Sequence, residues 1–314
     1  MSTRIVVIGN GGFAVNCLKV MQGCPDVAIS LVVTDPTARA MHGLLPRFCR
    51  DANVPAIEST QINSESVVQA IRSAGPDYVF SIYNMQIIKP ALLSVPRVAT
   101  LNFHNGPLPS YRGVNTYSWA IINGETEFGV AWHLVDDGID TGDIVGRKMF
   151  ALSPTDTPNT LAAKGFRAGV DLLNEILPGV FTGIVKPMKQ DGDLATYYSK
   201  RDLPNGGKVP FDLSFQQMER FVRGLDFRPL ENAFVYPTAY FCGVPFRIQA
   251  IRYINGARAH PPGCIVDIND NAIQVQGGDG VVEIGDLLDS ECKPVTTWRL
   301  QASLGMKKGN LLES

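Results

Sequence analysis

The sequence predicts an α/β fold: a mostly parallel sheet with helices on both faces, followed by a small β-rich domain. Short unbroken apolar runs alternate with helical stretches through the first half, as strands buried on both faces alternate with their covering helices. The first run passes straight into a glycine turn, a natural join between a parallel strand and a helix. Beyond the middle of the chain the pattern becomes short apolar–polar alternation between glycines, as in a small antiparallel barrel.

Taken in order, "RIVVIGNGGFAVNCLKVM" reads as strand (Ile5 to Ile8), glycine turn and helix. "VAISLVVTD" (27–35) is a second buried strand. A helical stretch over 64–74 precedes the strand "DYVFSIYN" (77–84), and another over 88–93 precedes "VATLNFH" (98–104). "FGVAWHLVDD" (128–137) and "DIVGRKMFAL" (143–152) are strands either side of a tight "GIDTG" turn. "NTLAAKGFRAGVDLLNEILPG" is an amphipathic helix over 160–177, expected to stop at Pro178 and Gly179. A polar crossing segment and a helix from Ser214 lead to the alternating strands of 236–300. The composition change places two domains at 1–205 and 206–314.

The totals narrow the function classes. With 314 residues, 45% hydrophobic, the chain has material for a substantial core. A formal net charge of −2 gives no global attraction to nucleic acid or to an acidic membrane. The six cysteines are scattered, with no CxxC and no metal-ligand spacing, so neither a disulfide framework nor a metal is expected. The opening apolar run is too short for a signal peptide or a span, which leads us to expect a cytoplasmic protein without a membrane partner.

Two stretches carry candidate chemistry. "GNGGFA" (9–14) after a buried strand fits a loose dinucleotide fingerprint, with Asp35 placed for a ribose hydroxyl; it equally fits a plain strand-to-helix turn. "LNFHNGPLPSYRG" (101–113) ends a strand on Asn102 and His104, which share a face because strand side chains repeat every two residues. Asp140, in "DDGIDTGD", is the plausible partner carboxylate. An amide donor, an imidazole and a carboxylate suit attack by an amine on a carbonyl. The spacing alone fits equally well a capped turn, a semi-buried histidine and an Asx turn.

The longer stretch "NFHNGPLPSYRGVNTYSWAIINGETEFGVAWHLVDDGIDTGDIV" closely resembles the catalytic core of the 10-formyltetrahydrofolate-dependent formyltransferases. That family includes methionyl-tRNA formyltransferase, sugar-nucleotide N-formyltransferases and formyltransferases of peptide and siderophore pathways. Its Asn-x-His, proline-rich turn and YRG match Asn102, His104, Pro107, Pro109, Tyr111, Arg112 and Gly113; its GxDTGD loop matches Gly138 and Asp140 to Asp143. The resemblance implies a Rossmann-like sheet followed by an OB-like C-terminal domain, with Asn102, His104 and Asp140 catalytic. It implies 10-formyltetrahydrofolate as co-substrate, with no NAD and no metal. The folate is then expected against Tyr83, Met85, Gln86, Ile87 and Ile88 and against Asp136, Asp137, Gly138 and Ile139. Gly9, Asn10, Gly11, Tyr111 and Arg112 are expected to meet the acceptor, with loop-fixing the alternative role for Arg112.

For the acceptor, the resemblance turns attention to residues 35–55, where the tRNA enzymes carry a basic loop. This chain has Arg39, Arg47 and Arg50 there but no lysine, and Met41, Leu44, Leu45 and Phe48 read as an inward-packing helix. Asn105 and Gly106 also stand where the tRNA enzymes usually read glycine and serine. The expected acceptor is therefore the amine or hydroxylamine of a small molecule, such as an amino-sugar nucleotide or an amino-acid pathway substrate. tRNA is not expected as a partner, and a homodimer is left open. The alternatives are a methionyl-tRNA formyltransferase, a formyltetrahydrofolate hydrolase, and a non-catalytic folate- or RNA-binding module.

Overall fold

A computed structural model describes residues 2–38 and 43–313. In chain order the first elements are β1 (Thr3–Gly9), α1 (Gly11–Gln22), β2 (Val27–Thr34), α2 (Leu44–Asp51), β3 (Ala56–Glu58), α3 (Glu65–Ala74), β4 (Tyr78–Ile82), α4 (Pro90–Leu93) and β5 (Ala99–His104). Then come β6 (Arg112–Gly113), α5 (Thr116–Asn123), β7 (Glu127–Leu134), β8 (Ile144–Ala151), α6 (Pro158–Phe181) and β9 (Tyr197–Tyr198). Seven strands form one sheet in the order β3-β2-β1-β4-β5-β7-β8. β1 to β5 run parallel, whereas β7 enters antiparallel to β5, and β8 antiparallel to β7.

The continuous apolar strands are buried on both faces, as their composition predicts. On one face Val7, Phe80, Phe103 and Trp132 pack beneath α1 and α6; on the other Val6, Ile8 and Val79 pack beneath α3 and α4. Each such side chain, fully buried, contributes roughly 1.5–3 kcal/mol. Phe103 and Leu101 point into the first layer. Asn102 and His104, one residue out of phase, are therefore turned to the opposite face at the carboxyl end of β5.

Three elements differ from the expectation. α6 runs through Pro178 to Phe181. Proline removes one donor, but the Pro178 carbonyl still receives the Thr182 N–H (3.2 Å) and hydroxyl (2.8 Å), so a last turn survives. α5 was not foreseen because Thr116, Tyr117, Ser118, Ala120 and Ile121 are all buried, leaving no polar stripe to mark a helical period. In α2, Leu45 packs inward as expected and Cys49 joins it, Phe48 is half-buried, and Leu44 is exposed; Arg39 and Met41 lie outside the described residues.

The chain divides into two compact units: Met1–Thr116 with Glu127–Ala151 and Ala162–Tyr198, and Tyr117–Thr126 with Leu152–Leu161 and Ser199–Ser314. In the second, α7 (Phe215–Gly224) starts at Ser214 with a capping box closed by Gln217. The strands β10 (Thr238–Phe241) and β11 (Val244–Arg247) form a hairpin. β12 (Ala250–Asn255), β13 (Ile265–Ile268), β14 (Ala272–Gln276) and β15 (Val281–Gly285) form a four-stranded antiparallel sheet. α8 (Thr297–Leu304) completes the unit. These strands and α7 share one core around Phe211, Met218, Phe246, Val275 and Ile284.

Candidate active site

The antiparallel register of β5 and β7 pairs Asn102 directly with His133, and His104 with Ala131. Directly opposed residues put their side chains on one face, so Asn102, His104 and His133 form a polar cluster at the carboxyl end of β5. The Asn102 amide nitrogen lies 3.1 Å from His133 Nε2. His133 Nδ1 lies 2.7 Å from the Leu134 carbonyl and must donate to it, since a carbonyl only accepts. With that proton on Nδ1, a neutral His133 offers Nε2 as acceptor to Asn102.

Asp140 closes the cluster. Its Oδ2 lies 3.3 Å from His104 Nδ1 and its Oδ1 lies 3.4 Å from His133 Nε2. The Gly113 N–H donates to Oδ2 at 2.8 Å. The His104 ring is buried, with Nε2 2.6 Å from the Tyr111 carbonyl. Both His104 nitrogens thus face acceptors, which favours a second proton on the ring. Burial opposes it and draws the imidazole below its usual pKa range; Asp140 pulls back up, His133 lowers it further, the Tyr111 carbonyl raises it and Arg112 lowers it. Burial pushes the Asp140 carboxyl up, but His104, His133 and the Gly113 N–H outweigh it and hold the group at about 2. A ring neutral at rest that gains its second satisfied N–H bond on protonation can take and return a proton during a reaction.

Local backbone geometry holds these groups in place. Asp140 sits at φ +53° and Tyr111 at φ +61°. Gly113 sits at φ +94°, and a Cβ there would come 2.1 Å from the Tyr198 carbonyl. The pairing of β6 with β9 depends on that close approach.

The other expected residues fall into distinct surroundings. At the end of β4, Met85 is 64% and Ile87 69% exposed, whereas Ile88 belongs to the core. The loop is tied down internally: Gln86 Oε1 accepts the Ile62 N–H, and Asn84 bonds the Gln86 backbone twice. Tyr83 is half-buried at φ +55° with its ring edge-on to Phe166. Asp136, Asp137 and Ile139 are exposed, and Asp136 accepts from the Gly138 N–H and the Thr141 hydroxyl. Asn10 is buried, its Oδ1 accepting from the Thr34 hydroxyl and the Asp35 N–H. Gly9 is needed because a Cβ would meet the Ile82 carbonyl at 2.5 Å, and Gly11 sits at φ +70°. The Tyr111 ring stacks on Tyr198 and meets Phe128 edge-on. Arg112 gives two hydrogen bonds to Gln190. Among the described residues no cluster of three or more His, Cys, Asp or Glu is arranged to hold a metal, and no helix is long and apolar enough to cross a membrane.

An amide, two imidazoles and a carboxylate at the carboxyl edge of an α/β sheet make a site suited to acyl transfer. Residues 3–177 match the family described as Formyl transferase, and residues 204–303 match Formyl transferase, C-terminal domain; the chain belongs to the formyl transferase family of enzymes. It is 27% identical over 292 residues to a methionyl-tRNA formyltransferase of Agathobacter rectalis, covering 90% of each chain. It is 28% identical over 314 residues to one of Citrifermentans bemidjiense, covering 98% of this chain and 96% of that one. Among solved structures it resembles WlaRD, a sugar 3N-formyl transferase crystallised with dTDP and 5-N-formyl-THF (TM-score 0.66, 20% identity, 91% of this chain and 98% of that one). An N-formyltransferase from Helicobacter canadensis in complex with folinic acid and dTDP-3-aminofucose is equally similar (TM-score 0.66, 20% identity, 91% and 99%). At such identities these structures establish the shared fold.

One expectation is corrected here. The relatives named methionyl-tRNA formyltransferase match over nearly the whole chain and overturn the argument against tRNA as a partner. That argument weighed the cations of one stretch, whereas the chain has 28 lysines and arginines in all. Phosphate contacts can be drawn from any of them.

Proposed function

We propose that the protein transfers the formyl group of 10-formyltetrahydrofolate to an amine through Asn102, His104 and Asp140. The observation that carries this reading is the His104 ring held between Asp140 and the Tyr111 carbonyl, beside the Asn102 amide, in a chain of the formyl transferase family. The exposed apolar side chains Met85, Ile87 and Ile139 suit a flat pterin ring.

In this mechanism the neutral acceptor amine attacks the formyl carbon. The Asn102 amide, with one N–H on His133, offers its second N–H to the developing oxyanion. His104 receives the proton released by the amine, its charged form stabilised by Asp140 and the Tyr111 carbonyl. The bond from the formyl carbon to N10 then breaks, and the same proton passes to N10 as tetrahydrofolate leaves.

For the acceptor we take methionyl-tRNA first, because the curated relatives that align over nearly the full chain carry that name. An amino-sugar nucleotide is the second reading, favoured by the lack of lysine in 35–55 and by the sugar formyltransferase among the solved structures of the same fold. The test presents aminoacylated initiator tRNA, amino-sugar nucleotides and small amino acids together with 10-formyltetrahydrofolate, with formate scored separately. Formylation of tRNA that falls steeply with salt supports the first reading. Transfer only to a small amine moves the assignment to the second, and formate release indifferent to every amine overturns both.

A further inference from the structure

The segment after α6 runs back across the catalytic loop, and one of its side chains meets the backbone that carries Asp140. Met188 pairs with Ile144 by two hydrogen bonds of 2.8 Å, and β9 pairs with β6, so Gln190 is suspended between two anchored points. Its Nε2 donates to the carbonyls of Asp140 (2.8 Å) and Gly142 (2.7 Å). Its Oε1 accepts from Arg112 Nε (3.1 Å) and Nη2 (2.8 Å). A primary amide has two N–H donors and two acceptor lone pairs, and all four are used. Turning the amide over would set oxygen against two carbonyls and nitrogen against a guanidinium, so its orientation is fixed.

The reason for this clamp lies in the loop it holds. Asp140 adopts φ +53°, a left-handed conformation that costs a residue with a side chain roughly 1–2 kcal/mol. The turn directs its carbonyl and that of Gly142 to Gln190, and its carboxylate to His104, His133 and the Gly113 N–H. If the carbonyls lose their donor, the peptide units at 140–142 are free to rotate and the carboxylate leaves His104. Arg112 fixes the amide from the other side, and it belongs to the same β6 whose Gly113 N–H holds Asp140.

We propose that Gln190 is a positioning residue for formyl transfer: its amide, oriented by Arg112, locks the left-handed turn that presents the Asp140 carboxylate to His104. The inference rests on Asp140 being the catalytic carboxylate, and the test separates the two. Gln190→Met keeps the bulk and removes every hydrogen bond. Its kcat is expected to fall roughly 10- to 100-fold, as for a catalytic group displaced by about an ångström. KM for 10-formyltetrahydrofolate should stay within about threefold, because a group acting through the chemistry spares binding. On an Asp140→Ala background the same substitution should cost nothing further, which a merely structural role would not produce. Gln190→Glu keeps the Arg112 contact but faces two carbonyls with a carboxylate; it should lose at least as much kcat, and it gives the same reading if the methionine variant does not fold. Parental kcat in either variant, a loss confined to KM, or an equal loss on the Asp140→Ala background overturns the proposal. Full activity of Asp140→Ala alone would instead remove the assignment on which it stands.

Discussion

Replacing Asp140 by asparagine tests the electrostatics of the site with little change of shape. Asparagine tolerates the left-handed backbone at φ +53° and can still accept the Gly113 N–H, so the loss is the charge between two imidazoles. A carboxyl held at about 2 in the fold, against 3.8 unperturbed, stabilises the native state above pH 4 and loses that effect as pH falls toward 2. The difference corresponds to about 2 kcal/mol. Burial pushes the carboxyl up, and His104, His133 and the Gly113 N–H more than offset it. Burial holds the His104 imidazole below its usual range. His104 itself, buried and neutral, adds stability above pH 6.5 that both proteins lose as pH falls through its folded value. The stability gap between parent and Asp140→Asn should therefore open as pH rises through the range from about 2 to 4. It should reach about 2 kcal/mol above pH 4 and narrow towards pH 2. Urea titrations at half-unit pH steps measure it, and turnover at pH 7.5 should fall roughly 100-fold or more. A gap that is flat in pH, or one that keeps growing below pH 3, would refute the arrangement of charges described.

Asn102→Ala should lower single-turnover formyl transfer roughly 100- to 1000-fold with folate affinity retained, since the amide is assigned to the oxyanion. His133→Leu removes the acceptor that orients Asn102 and should cost about tenfold in the chemical step, whereas His133→Gln, which keeps an acceptor, should cost much less. In the loop after β4, Met85→Ala and Ile87→Ala should each weaken folate binding by roughly 1 kcal/mol in isothermal titration and leave thermal unfolding unchanged. Ile88→Ala, emptying a core position, should lose about 2–5 kcal/mol in urea unfolding. Gly113→Ala should lower both stability and kcat, because the left-handed backbone and the Tyr198 carbonyl leave no room for a methyl group.

The α/β layers were legible because apolar runs and strand periodicity are local signals, and β1, β2, β4 and β5 form where the runs fall. Asn102 and His104 were legible for the same reason, two residues apart on one strand. His133 was not singled out, although it stands in plain sight in "VAWHLVDD". Its place beside Asn102 depends on β7 entering antiparallel to β5 in one register, and a one-residue slip would turn His133 toward the core and Trp132 out of it. The hydrophobic pattern does contain that constraint, since Val130 and Trp132 must reach the core beneath α6, which sends Ala131 and His133 to the opposite side. What the pattern lacks is the identity of the neighbouring strand.

Gln190 is harder still. It lies outside regular secondary structure, in a stretch whose polar composition suggests only a surface crossing. Its meaning comes from four hydrogen bonds to residues 48 to 78 positions away in the chain. The same holds for Arg112, whose two-fold contact with Gln190 favours the loop-fixing role over an anion contact. A carboxylate held on a left-handed turn is steadied by an outside donor for the carbonyls that the turn exposes. Once Asp140 is placed at positive φ, the question to ask of the rest of the chain is which buried or half-buried amide supplies that donor.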